Sequence, residues 1–498
     1  MDERFGHRAS DALDRIPVKP NSHRLRRSAG GGPARSATVA ALLAAALVSS
    51  TACGGNSASR IASRILERYR KTSGAKPLPA GGMIRIRLTA ADGRPAASGV
   101  AEILWQPYRY RESVSSAGMT TVRGIESGKA YLTDGDGVSR VVSEPVLREL
   151  LTRSYFWRRA WLFENHEDAR LHLGPADENS ASVSLRPEGG NPLLLSFSRR
   201  DGRLLSVRSP RFHLKFSSVA SFRDVSEPGE PVAGEITWVG LPTGRIPDPP
   251  AAGGGRAQFG PIAAEASLER SGGAAIVPAR LSGETIRLAI DANADGPLRL
   301  SPALAARLPL RFSPDAFGRM IAGAASLEIG SAAYPSLFVQ KSDAIPPGAD
   351  AVAGGCLFRE AIVELDPEAG KLRLHDPTRW VVPEGYFRIV IDDDEDRPVA
   401  ILYRGGRELR LSAGSDVGDA AILLSSESAD RVGLVDTAVA KGLTWGPVKL
   451  PPMPLRISHE GLFPDWGDDG RLGYALLLRF HVFVNMPQRW IYVRPLER

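Results

Sequence analysis

Ile286-Arg287-Leu288-Ala289-Ile290 runs into Asp291-Ala292-Asn293-Ala294, and Leu300, Leu304 and Leu308 follow at helical spacing. Ala351-Val352-Ala353-Gly354, Ile362-Val363-Glu364-Leu365-Asp366 and Leu372-Arg373-Leu374 come next. The same order returns downstream. Glu408-Leu409-Arg410-Leu411 runs into Ser412-Ala413-Gly414-Ser415, followed by Ala429, Val432 and Leu434, by Arg471-Leu472-Gly473, and by Val482-Phe483-Val484-Asn485. From Asp291 to Gly354 is 63 residues and from Ser412 to Gly473 is 61; from Asp291 to Asp366 is 75 and from Ser412 to Asn485 is 73. Landmarks in one order at matched spacing mark an internal repeat, with units at 274–380 and 381–498.

Around that repeat the composition is globular. The 498 residues are 43% hydrophobic and 24% charged, which supports buried cores and excludes wholesale disorder. With 51 Gly and 38 Pro, a turn-rich, mainly β chain is expected rather than a helix bundle. Only Cys53 and Cys356 are present, so a disulfide scaffold and a Cys-based zinc module are excluded. The net charge of +7 misleads, because residues 1–52 hold 8 Lys/Arg and 4 Asp/Glu and leave a nearly neutral body. No basic stripe interleaves with aromatics, so nucleic acid is not an expected partner. No cofactor and no metal site are expected either.

Residues 1–52 read as an export signal. Arg24, Arg26, Arg27 and Arg35 flank an apolar run from Ala37 to Val48 that is too short to span a bilayer. Ser50-Thr51-Ala52-Cys53 resembles a bacterial lipobox, with Ser50 departing from the usual aliphatic residue. The resemblance implies lipidation of Cys53 and a lipid anchor on the periplasmic side of the cell envelope. The alternative is an ordinary signal peptide cut near Ala52. Residues 53–60 are a short polar tether.

Residues 61–241 open with a helix, Ile61–Thr72, then switch to period two at Met83–Leu88. Strands continue to Ser217, interrupted by a helical stretch from Pro145 to Glu164. This order, with Leu66-Glu67-Arg68-Tyr69, Trp105-Gln106-Pro107-Tyr108-Arg109-Tyr110 and Asp201-Gly202-Arg203-Leu204-Leu205, resembles the LolA-like lipoprotein-carrier fold. The resemblance implies a half-barrel with helices whose concave face either holds an acyl chain or is filled by its own side chains. Residues 242–273, rich in Pro, Gly and Ala, read as a linker.

The repeated unit resembles a lobe of the retropepsin-like and pepsin-like aspartic peptidases. Each lobe of that family carries an apolar strand ending in Asp-Thr-Gly and, later, a hydrophobic-hydrophobic-Gly strand. The resemblance implies a two-lobed, acid-protease-like β domain with a cleft between the lobes. Two nearby carboxylates there share a proton, one acting as base on a water and the other as acid toward the scissile carbonyl. Asp291 matches the first Asp, but Ala292 and Asn293 replace Thr and Gly. In the second copy Ser412 stands where the Asp belongs, with Ala413 for Thr and Gly414 intact. Gly354 and Gly473 match the later Gly of each lobe. A shifted alignment makes Asp416 the second carboxylate, through Asp416-Val417-Gly418.

Three functions therefore stand: a non-catalytic protein holding a peptide or unfolded polypeptide between the lobes, an aspartic endopeptidase using Asp291 with Asp416, and a lipid carrier or sensor working through the half-barrel. The acidic run Asp392–Asp396 reads as a solvated turn after the strand Phe387–Ile391, and Cys356 as a buried apolar thiol.

Overall fold

The computed structural model describes residues 55–76, 78–91, 98–225, 232–240, 246, 257–271, 274–292, 294, 296–394, 397–414, 417, 420–435, 437–458 and 469–496. The export segment, Cys53, Asn293 and Asp416 lie outside these residues. Among the described residues no helix is long and apolar enough to cross a membrane.

The chain is mainly β. Thirteen strands between Gly82 and Gly240 form one antiparallel meander in which the first strand, Gly82–Ala90, pairs with the last, Val232–Gly240. Alternation explains the strand Gly82–Ala90: Ile84, Ile86 and Leu88 point inward and Arg85 and Arg87 outward. Arg85 pairs with Glu102 at 2.7 Å across one neighbour, and Arg87 with Glu235 across the other. Such exposed cross-strand pairs fix register more than they stabilise.

Two helices cover this N-terminal sheet. Gly55–Ser73 buries Ala62, Leu66 and Tyr69 and ends at Gly74, whose φ of +65° suits the left-handed stop. Glu144–Trp157 starts at the N-cap Ser143 with a proline in its first turn; the sequence pattern ran on to Glu164, but the chain breaks into a short 3-10 turn at Ala160–Leu162. Trp161 there sits 5.3 Å from Tyr69 and 6.2 Å from Phe197 between ring centres, joining both helices to the sheet. Truncating so large a buried ring costs about 3–5 kcal/mol.

The second half has two lobes. Lobe 1 is an eight-stranded sheet from Glu269 to Ala353, and lobe 2 is built from strands between Arg397 and Gly473. Three strands from each side form a shared layer in the order Ala264–Ser267, Lys371–His375, Ile362–Asp366, Phe480–Asn485, Trp490–Pro495 and Phe387–Asp394. Its central strands are buried at every position because both faces are covered. Two expectations need correction here. Ala264–Ser267 and Glu269–Ser271, read as linker, are strands, and Asp392–Asp394 continue the strand from Phe387 instead of forming a turn. Ala264–Ser267 pairs with the distant Lys371–His375, whereas Glu269–Ser271 and Asp392–Asp394 pair with the strands that directly follow them, and local composition registers neither kind of pairing.

Candidate functional site

Each lobe contains the same non-local weave. In lobe 1, Glu284–Ile290 pairs in parallel with Ala351–Ala353, and Leu298–Leu300 pairs antiparallel to Ala351–Ala353 and parallel to Ala332–Lys341. In lobe 2, Arg407–Gly414 pairs in parallel with Gly470–Gly473, and Ile422–Ser425 pairs antiparallel to Gly470–Gly473 and parallel to Met453–Ser458. Parallel neighbours need long crossovers, so the pattern cannot arise from adjacent hairpins. Ser301 and Ser425 then cap matching helices, accepting from the N–H of Leu304 and Ser428.

A pair of matched carboxylates fixes the correspondence residue by residue. Asp350 accepts from the Arg287 N–H at 2.9 Å, and Asp469 accepts from the Arg410 N–H at 2.8 Å. Arg287 therefore matches Arg410, and four residues on, Asp291 matches Gly414. Strand register agrees, with Ile290 opposite Ala353, and Gly414 opposite Gly473. This corrects the expectation that Ser412 replaces the second Asp: Ser412 matches Ala289, two positions earlier. The signal was present in Ile286-Arg287-Leu288 against Leu409-Arg410-Leu411, which align without a gap. Taking Ser412-Ala413-Gly414 for a degenerate Asp-Thr-Gly triplet obscured it.

The two loops differ chemically. In lobe 1 the Asp291 N–H donates to the Ala353 carbonyl at 2.8 Å, and the Asp291 carbonyl accepts from Ala294 at 2.9 Å. The carbonyls of Asp291 and Ala294 crowd Gly354 so closely that no Cβ fits. Ala292 is buried and faces a small apolar gap shared with Leu472 and Leu477 of lobe 2. Apolar packing thus stands at the position where the resemblance implies Thr. In lobe 2 the Gly473 position is pressed by the Ala420 carbonyl and Val417. Ser412 is fully buried and its Oγ accepts from the Arg471 guanidinium. The matching lobe 1 pair, Ala289 and Val352, lies in an apolar cluster with Ala274, Ile276 and Ala294.

Beyond the loops, Glu364, Asp366 and His481 come close enough to hold a metal ion. Arg373 already supplies positive charge there, at 2.5 Å from Glu364 and 3.1 Å from Asp366. Arg494 reaches His481 Nδ1 at 3.2 Å; a guanidinium only donates, so Nδ1 accepts and Nε2 donates to Glu364 at 2.7 Å. His375 meets the other Glu364 oxygen at 2.6 Å. Burial alone raises the Glu364 carboxyl, but the two His hydrogen bonds and the Arg373 cation outweigh it and hold it far below its ordinary 4.5. The trio is an ion-pair knot tying the lobes, and its donors are already engaged. Cys356 is buried, and burial pushes its thiol up to about 12, which favours the protonated form at neutral pH.

The N-terminal sheet frames a cavity of about 510 Å³. Its floor carries Ile86, Ile103, Leu214 and Phe222, and one side carries Glu112 and Arg153. Glu112 is buried between Arg123 at 2.7 Å and Arg153 at 2.6 Å and accepts from the Tyr110 hydroxyl. Burial raises its carboxyl, and the two guanidinium cations outweigh that and hold it well below the usual range.

No protein-family profile matches the chain, and no curated protein does. Among solved structures it is similar to the aspartic proteinase from Irpex lacteus, at 11% identity and a TM-score of 0.32, over 47% of this chain and 97% of that one. The description of the second half as a two-lobed, acid-protease-like β structure accordingly rests on the strand pairings of this chain itself.

Proposed function

We propose that the chain is an exported, non-catalytic protein of acid-protease-like architecture that holds a peptide or unfolded polypeptide between its lobes. The observation that carries this reading is the match of Asp291 to Gly414, a residue with no side chain. Proton sharing needs a second carboxylate at close range, and the matching position offers none. Extended polypeptide would bind by strand addition, with main-chain hydrogen bonds for affinity and side-chain pockets for selectivity. Anchoring through Cys53 would place the protein at the cell envelope. The test is to incubate it with a reduced, carboxymethylated polypeptide at acid and neutral pH, then separate by size. Co-elution of intact polypeptide is expected; free intact polypeptide, or fragments, contradicts the proposal.

A second reading has its own support. The apolar floor of the 510 Å³ cavity suits an acyl chain, and its guanidinium groups suit an anionic end. Extraction of the purified protein with organic solvent should then release lipid at near-stoichiometric yield.

A further inference from the structure

The roof of the N-terminal cavity is not part of the N-terminal sheet. It comes from lobe 1, through Gly296, Arg299, Phe317, Arg319 and Gln340. Phe317 and Arg319 belong to a hairpin in which Ser313–Pro314 pairs with Met320–Ile321 at the outer edge of the lobe 1 sheet. The two arms of that hairpin pair at only two positions, and Ile321 alone of its residues pairs onward, with Gln340. The register of the strand that follows slips twice, between Ala322 and Ala325 and between Ala325 and Leu327. Short edge pairing beside bulges is a weak attachment.

Its tip is held instead by the other half of the molecule. Ala316 is fully buried and belongs to the hydrophobic cluster of the N-terminal sheet, against Gly99. The Ala316 N–H donates to Ser116 Oγ at 2.7 Å. Nearby, Asp136 accepts from the Phe338 N–H at 2.8 Å, and Asp134 pairs with buried Arg359. The tip keeps its shape alone: Asp315 accepts from the N–H groups of Phe317 and Arg319 and from Arg319 Nε, all within 2.9 Å.

We propose that the Ser313–Ile321 hairpin is a gate over the N-terminal cavity, closed when Ala316 and Phe317 dock on the sheet and open when the preformed tip swings on the bulged strand. The gate also reaches the Asp291 loop. Gly296 and Pro297, at the end of that loop, line the same junction, and Arg359 donates to the Gly355 carbonyl beside Gly354. Filling the cavity and shifting lobe 1 are then one event. The gate does not rest on the non-catalytic reading, and it deepens the acyl-chain reading only by naming the route of entry.

The test is Ser116→Cys with Ala316→Cys in the full chain carrying Cys53→Ser, oxidised and then reduced. The probe is 1-anilinonaphthalene-8-sulfonate, whose apolar rings and single anionic group fit the floor and the guanidinium groups. Reduced protein should show the fluorescence gain of uptake, and the oxidised form should take up probe at least tenfold more slowly, with recovery on reduction. Phe317→Ala should speed uptake. Ile103→Trp, which fills the cavity, should abolish it. Equal uptake in the oxidised and reduced forms, a full signal in Ile103→Trp, or failure of the two thiols to oxidise with each other each overturns the gate.

Discussion

Lobe 1 and lobe 2 carry one weave of strands and two different sites. Lobe 1 keeps an aspartate at the head of its loop and surrounds the strand behind it with Ala289, Val352 and other apolar groups. Lobe 2 has Gly414 at the head and a buried Ser412–Arg471 contact behind. Backbone features agree across the lobes, including the Asp350 and Asp469 ties, the Ser301 and Ser425 caps and the crowded Gly354 and Gly473. What diverges is the chemistry at the loops. The scaffold needs its parallel crossovers to fold, whereas nothing in folding demands two carboxylates. The mutual repulsion of two such carboxylates would cost stability, so Gly414 at this position is compatible with the same weave.

Seven substitutions can break or sharpen that comparison. The largest effect is expected at Glu364, where lobe 1 ties itself to His481 of lobe 2; the matching lobe 2 residue is Phe483. Glu364→Ala removes the anion from a buried knot and should cost about 3–5 kcal/mol in urea unfolding at neutral pH. The pH dependence has a definite sign. A carboxyl held below its ordinary value contributes stability that is present above 4.5 and lost as pH falls through the lowered value. The wild type should therefore lose melting temperature on acidification below that point, with a smaller acid loss in Glu364→Ala.

Next come Gly354→Ala and Gly473→Ala, each expected to cost about 1–3 kcal/mol because a Cβ meets backbone that cannot yield. Gly354→Ala should be the worse, since two carbonyls crowd it against one carbonyl and a side chain at Gly473. Equal costs would remove this distinction between the loops. Asp350→Ala and Asp469→Ala follow, at about 1–2 kcal/mol, with Asp469 the larger because it also accepts from Ser428 and Arg431. The smallest effect is Ser412→Ala, at about 1 kcal/mol, from loss of an Arg471 acceptor. Adding Arg471→Val recreates the lobe 1 pair and should recover most of that loss in the same unfolding assay.

The repeat was legible in the sequence because apolar strands and glycines at fixed spacing are dictated by packing. The carboxylate ties are legible too, as Asp350 and Asp469, each four residues before Gly354 and Gly473. The offset of two residues at Ser412 is set by strand register, which residue type does not reveal. Ser412-Ala413-Gly414 resembles a worn triplet, yet it is the end of a strand, and only pairing to Gly470–Gly473 reveals that. The gate hairpin was illegible for another reason. Ser313-Pro314-Asp315-Ala316-Phe317-Gly318-Arg319 reads as an ordinary turn, and its partners Ser116 and Gly99 lie about two hundred residues away.

The central claim is that this two-lobed scaffold has no working pair of acids. The direct measurement is mass spectrometry of a denatured protein substrate incubated with the purified chain at acid pH, with and without pepstatin, beside Asp291→Asn. The expected result is intact substrate in every sample. Fragments that vanish with pepstatin and in Asp291→Asn would contradict the account.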